Sequence, residues 1–343
     1  MLDSDDKRFE VVISDDASSD NTQELLSAIH DSRFRYYRND KNLGVHKNWE
    51  RSLSLGRGEW LYFSMGREVL HGDKMCRLFE FLDFARENNI TYMKDGYYTQ
   101  ESLKVFSGIN AMSTFLRVTH PTADIYNGEI FRDIPNRRHY FEISDMFPEN
   151  YIRRDMLMKG NGAFINSEIY IRHESFTHDK MAVKSTVEHD KNIYDMYFAP
   201  RRLIVQHKEL IDMILKDSSE KFSKSELDKY FAKKFYELVN HVSRAWKSWC
   251  RNDSMSMHYG YKMKHVSRLE MLLNILKAYR AVKSHLKQHK IYSLRRQIIM
   301  YRILVKIFIE QTGQLAKKFA KILLEPLGIW KILKAIKNFP RSH

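Results

Sequence analysis

The run Val11-Val12-Ile13-Ser14-Asp15-Asp16-Ala17-Ser18-Ser19-Asp20-Asn21-Thr22 constrains this chain more than any other stretch. Phe9 to Ile13 reads as a short buried strand, and the small and acidic residues after it as a loop closed by a helix cap at Asp20. Open α/β sheets place ligands where a strand's C-terminal end opens into such a loop. The alternation then continues through residue 172. Spacing predicts helices over Asn21–His30, Val45–Leu55, Lys74–Glu87, Ile109–Leu116 and Tyr151–Lys159. Strands are predicted over Phe34–Arg38, Trp60–Met65, Ile90–Tyr98 and Ala163–Arg172. Pro121 to Phe147 shows no clear period. Beyond Ala199 the pattern changes to long basic helices.

At 343 residues, 43% of them hydrophobic, the chain is long enough for one large or two smaller cores. Its two cysteines, Cys76 and Cys250, stand far apart with no CxxC, as expected of free thiols in a reducing compartment. The acidic N-terminus lacks the apolar stretch of a secretory signal, and no run approaches the roughly 18 apolar residues of a membrane span. A cytoplasmic protein, peripheral on the inner face of the cytoplasmic membrane, is the expectation. Charge is unevenly shared. Residues 1–200 carry 26 Lys and Arg against 32 Asp and Glu, whereas residues 201–343 carry 31 against 11. Two functional regions are therefore expected, divided at 1–199 and 200–343, with the second facing an anionic surface.

Four blocks in order carry a family resemblance. The first, Val12 to Thr22, resembles the V-D-D-G-S-x-D-x-T segment of family 2 glycosyltransferases. The second runs from Asn42-Leu43-Gly44 through Asn48 to Gly56-Arg57-Gly58-Glu59-Trp60. The third is Glu149-Asn150-Tyr151-Ile152-Arg153-Arg154 with Gly160, and the fourth Tyr170-Ile171-Arg172-His173 with Ser175. The resemblance implies a GT-A-like, doubly wound mixed α/β sheet followed by an α-helical basic C-terminal region. It also implies that a strand, loop and helix precede the first block, where only Met1 to Arg8 stand here. The sheet is therefore expected to lack its first strand and to leave a neighbour with an unpaired edge.

The same resemblance implies an inverting transfer from a nucleotide-diphospho-sugar to a lipid-linked or saccharide acceptor in surface polysaccharide synthesis. Asp15, Asp16, Asp20, Asn42, Gly44 and Asn48 would then surround the nucleotide. After the strand at Trp60 the family places D-x-D, two carboxylates on a divalent cation such as Mg²⁺ or Mn²⁺. This chain has Met65-Gly66-Arg67-Glu68 there. Glu68 alone holds the metal, or Arg67 neutralises the diphosphate, or metal binding has been lost. His173 is a further diphosphate or metal candidate, against the simpler reading of a surface histidine. Glu149 is the candidate base, with Asp145 as the alternative; the simpler reading is an acidic residue in a helix's first turn. The competing function is a catalytically impaired relative acting as a binding or scaffold protein at the membrane.

Within 291–343, Arg295, Arg302 and Lys306 fall on one helical face, and Lys317, Lys321, Lys331 and Lys334 lie opposite Phe319, Leu323, Trp330 and Leu333. Such helices suit an anionic membrane surface. Packing within the protein is the alternative, and nucleic acid is disfavoured because the aromatics do not line an exposed groove.

Overall fold

The computed structural model describes residues 1–2, 4–65, 69–96, 102–117, 121–143, 147–171, 200–251 and 268–312. The chain divides into two compact units, Met1–Lys180 and Met181–His343.

The first unit is α/β. Strand β1 (Val11–Asp15) pairs in parallel with β2 (Phe34–Arg38), from Val11 opposite Phe34 to Asp15 opposite Arg38. A parallel pair needs a crossover, supplied by the short helix α1 (Thr22–Ser27). Helix α2 (Val45–Leu55) packs on β1 with Leu53 buried. Next come β3 (Trp60–Phe63), β4 (Val69–Leu70), α3 (Met75–Glu87), β5 (Ile90–Lys94), β6 (Leu103–Phe106) and α4 (Gly108–Phe115). The unit's remaining elements are β7 (Asp124–Asn127), α5 (Gly128–Asp133), α6 (Arg137–Ile143), α7 (Glu149–Lys159), β8 (Asn161–Ile165) and β9 (Tyr170–Ile171).

A five-stranded mixed sheet runs in the order β3-β7-β5-β8-β6, and β4 pairs with β9 in a separate ribbon. Among the described residues no strand pairs with the second edge of β1 or of β3. Among the described residues the β1-β2 pair and the five-stranded sheet are separate. Pro121–Phe147, which has no legible period, contains β7, α5 and α6. The stretch expected as one strand over Ala163–Arg172 is two short strands.

Strand alternation decides which residues meet. Met75, Leu78, Leu82 and Ala85 recur every three or four residues along α3, and bury that face against Ile90, Met93, Ile125 and Ala163. Successive strand residues point to opposite faces. Tyr92, Lys94, Asp124 and Tyr126 therefore lie on the other side, under α7. On that side the Phe115 and Phe164 rings meet at a tilt, 4.7 Å apart between centroids, and each meets Phe106 edge-on. Gly162 makes room for this cluster, because a Cβ there would lie 2.5 Å from the Phe115 ring.

The second unit is helical, with α8 (Pro200–Leu215), α9 (Lys224–Arg251), α10 (Arg268–Gln288) and α11 (Leu294–Thr312). Ser223 and Glu226 form a capping box at the start of α9, with Glu226 Oε2 accepting the Ser223 N–H and Ser223 Oγ accepting that of Glu226. Helix α9 packs against each of the other three. Its buried residues Tyr230, Phe231, Lys234, Phe235, Leu238 and Val242 follow helical spacing. Asp228 on α9 pairs with Arg295 and Arg296, each at 3.0 Å, which ties down the start of α11. In α11 the apolar residues Met300, Ile303 and Ile307 are buried, so this stripe serves the bundle. Residues 313–343 lie outside the described residues. No helix among the described residues is long and apolar enough to cross a membrane.

Candidate functional site

The loop after β1 is built around two carboxylates. Asp15 is buried and accepts hydrogen bonds from the Ser18 N–H at 2.9 Å, the Ser18 hydroxyl at 2.5 Å and the Tyr36 hydroxyl at 2.7 Å. Burial works against its charge, but these bonds and Arg38 hold its pKa below the ordinary carboxylate value. Asp16 reaches the other way. It accepts the Leu43 N–H at 2.7 Å, the Gly44 N–H at 2.9 Å and the Asn39 amide at 2.8 Å. Gly44 has φ of 82°, a conformation glycine adopts without strain. Asn42 Oδ1 also accepts the Gly44 N–H, at 2.9 Å. Asn48, on α2, donates to the Ser14 carbonyl at 3.0 Å and accepts from the Ser14 hydroxyl at 2.7 Å. Asp15, Asp16, Asn42, Gly44 and Asn48 therefore converge on the C-terminal end of β1.

Asp20 stands apart. It is exposed and accepts only the Thr22 N–H and the interactions within its own turn, which hold its pKa below the ordinary value. The position that caps α1 is Asn21, without a side-chain capping bond. The expected Asp20 cap is an Asx turn one residue earlier.

A second constellation sits between the sheet and α7. Asp124, wholly buried, accepts bonds from the hydroxyls of Tyr92 and Tyr126, from Lys94 Nζ at 2.8 Å, and from Arg153 Nε and Nη2 at 2.9 and 2.6 Å. Burial opposes its ionisation, but Arg153 and Lys94 outweigh that and keep its pKa low. Burial pushes the Lys94 ammonium down, partly offset by Asp124. Glu149, in the first turn of α7, is 2% exposed, and among the described residues neither carboxylate oxygen has a hydrogen-bond partner. Arg153 Nη2 lies 3.9 Å away. Burial pushes the Glu149 carboxyl up to about 8, against the pull of Arg153.

The third sequence block singles out Arg154, five residues after Glu149. In the structure Arg154 pairs with Asp155 and with the Tyr140 hydroxyl. Arg153 is the one beside Glu149, because residues four apart share a helical face. Asp124, Lys94 and Arg153 were not predicted as site residues. The only signal was a charged Lys94-Asp95 pair closing an apolar strand. Asp95 is itself held by the hydroxyls of Tyr62 and Ser167 and by the N–H of Ser167.

A cavity of about 530 Å³ opens between α2 and α6, lined by Leu43, Lys47, Glu50, Arg51, Arg138 and Phe141 among others. Leu43 joins it to the Asp16 loop. Arg67, Glu68, Asp145 and His173 lie outside the described residues. Among the described residues, the carboxylates at these strand ends, Asp15, Asp16 and Asp95, are all engaged by the chain's own donors. They do not by themselves form a ligand set for a divalent cation.

Residues 1–157 match the family model described as glycosyl transferase family 2. Over this stretch the chain is similar to that family. The matched stretch runs into α7, and contains both the Asp16 loop and Glu149. Members of the family often use a divalent cation. Among solved structures, the crystal structure of S. aureus TarS 1-349 aligns at 12% identity with a TM-score of 0.40, covering 78% of this chain and 88% of that one. A likeness at that level carries no functional argument. No curated protein matches the sequence.

Proposed function

We propose that this glycosyltransferase moves a sugar, with inversion, from a nucleotide-diphospho-sugar to a lipid-linked or saccharide acceptor in the synthesis of a surface polysaccharide such as capsule or O-antigen. The observation that carries the reading is the convergence of Asp16, Asn42, Gly44 and Asn48 at the end of β1, in a domain whose family performs glycosyl transfer. Asp16 holds the loop open by fixing two backbone N–H groups, and Asp15 braces it from beneath. The base and ribose of the donor would lie against this loop.

An inverting displacement needs one carboxylate to take the proton of the attacking hydroxyl. Glu149 suits that role: with a pKa near 8 it can accept and release a proton near neutral pH. Arg153 is positioned to stabilise the ionised form, while Asp124 keeps Arg153 in place. A Mg²⁺ or Mn²⁺ ion, drawing on residues such as Glu68 and His173, would neutralise the donor diphosphate. Attachment to the inner face of the cytoplasmic membrane would fall to the lysine-rich residues 313–343, since the described part of α11 spends its apolar stripe on the bundle.

The near-complete burial of Glu149 favours a second reading, a domain that binds a nucleotide-sugar at the membrane without transferring it. Thermal-shift titration with a panel of nucleotide-sugars plus Mn²⁺, followed by a product assay with lipid-linked acceptors, separates the two. Stabilisation with transfer supports the enzyme. Stabilisation without transfer across the panel supports the binding protein, and no stabilisation by any donor removes both. Liposome flotation with and without residues 313–343 tests attachment; equal flotation of both removes that part.

A further inference from the structure

In the helical unit three potential metal ligands from two helices meet. Asp212 lies in the last turn of α8, His285 in the last turn of α10, and His289 in the turn that closes α10. One ligand atom from each lies within 4.8 Å of the other two. His285 Nε2 is 2.8 Å from Asp212 Oδ1, and the two imidazole rings are 4.4 Å apart between centroids. We propose that Asp212, His285 and His289 form a binding site for a divalent transition metal of the Zn²⁺ kind, clamping the C-terminal ends of α8 and α10 together.

Three features carry the inference. First, histidines four residues apart share one helical face, so both rings reach the same point. A simple tie between α8 and α10 needs only one of them, yet the second imidazole is brought to the same carboxylate. Second, the backbone under all three is held. The Asp212 carbonyl accepts the N–H groups of Lys216 and Asp217, and the His285 carbonyl accepts that of His289. The following turn is closed by the bond from the Ile291 N–H to the Leu286 carbonyl, with Lys290 at φ of 57°. Third, both helices present their C-terminal ends, whose partial negative charge favours a cation.

Ligand chemistry selects the class of ion. Two imidazoles and one carboxylate suit Zn²⁺, Co²⁺ or Ni²⁺, whereas Mg²⁺ and Ca²⁺ prefer all-oxygen sites. Three protein ligands leave a coordination position for water. The site is independent of the reading of the family 2 domain.

The test is isothermal titration of the metal-stripped full-length protein with Zn²⁺, in excess Mg²⁺ to saturate oxygen-ligand sites. One Zn²⁺ per chain is expected, with a thermal stabilisation that grows with free metal as mass action requires. His289→Ala, on a half-exposed turn, and Asp212→Asn should each weaken binding by about 100-fold or more, at least what loss of a mere outer-shell partner can cause. A second readout needs no variant: Zn²⁺ should protect His285 and His289 from diethylpyrocarbonate, mapped by peptide mass. Absence of Zn²⁺ binding, equal affinity in the well-folded His289→Ala protein, or unprotected histidines in the metal-loaded chain would overturn the proposal.

Discussion

Arg153 stands 3.9 Å from Glu149 yet directs bonds of 2.9 and 2.6 Å to Asp124. Asp124 thus commands the guanidinium, and Glu149 is left buried beside a cation it does not fully share. That arrangement raises the Glu149 pKa and makes the carboxyl a pH-dependent weakness of the fold.

The sign of that pH dependence follows from the shift. The Glu149 pKa rises from 4.5 to about 8 on folding, so between those values the native state holds a proton that the unfolded chain has lost. The stabilisation is complete below pH 4.5 and is lost as pH rises through 8, at about 1.4 kcal/mol per pH unit in the window. Glu149→Gln should remove this slope. Urea denaturation at a series of pH values reads it out, and an unchanged slope in the variant would contradict the assignment.

If Glu149 is the base, transfer by the wild-type protein should rise with pH to a plateau, with an apparent pKa near 8. Glu149→Gln should lower the rate by about 10²- to 10⁴-fold while leaving donor affinity within a few-fold. A Gln variant with near wild-type turnover would move the role to another residue.

Arg153→Met should destabilise the α/β unit by about 3–5 kcal/mol, because it leaves the Asp124 carboxylate buried without its guanidinium. The loss is measured from the denaturant midpoint at constant m-value. A change near zero would mean that Lys94 and the two tyrosines alone satisfy Asp124.

Two acidic residues of the first motif should behave differently. Asp16→Asn replaces an acceptor of two backbone N–H groups with an amide that can satisfy only one, and should weaken nucleotide binding by about tenfold or more. Asp20→Ala, on the exposed turn, should change affinity by no more than ~2-fold. Calorimetric titration with a nucleoside diphosphate distinguishes them, and the reverse order would contradict this organisation of the loop.

Ala17 has φ of 60°, in the left-handed region where a Cβ is strained. The family motif places glycine at this position. Ala17→Gly should therefore stabilise the protein by about 1 kcal/mol, the relief of left-handed strain less the entropy glycine loses on folding. A lower denaturant midpoint in the variant would show that the loop draws support from the methyl group.

Much of the fold was legible because its signals are local. The spans Phe34–Arg38 and Val45–Leu55 were read to the residue, since a run of aromatic and β-branched residues and an amphipathic period ending at Gly56 each specify themselves. The change of composition at Ala199 is a property of the sequence alone; the two compact units divide between Lys180 and Met181. Strand β7 was not legible: it is only four residues long and opens on Asp124, and only partners distant in sequence show that this charge belongs in the interior. The same difficulty hid Lys94 and drew attention to Arg154 over Arg153.

By itself the sequence determined part of the order of elements, the acidic loop after β1 and the resemblance of that loop to family 2 glycosyltransferases. These depend on neighbours within a few residues and on spacings along one strand or helix. Tertiary structure alone decided which charges would be buried together. The pleat turns Lys94 and Asp124 toward α7, and the helical period turns Glu149 and Arg153 back toward them. Whether a carboxyl sits in water or beside a fully engaged arginine sets its pKa, and that environment comes from three segments distant in sequence. The same holds for Asp212 and His285, which are far apart in the chain and adjacent only because α8 and α10 pack together.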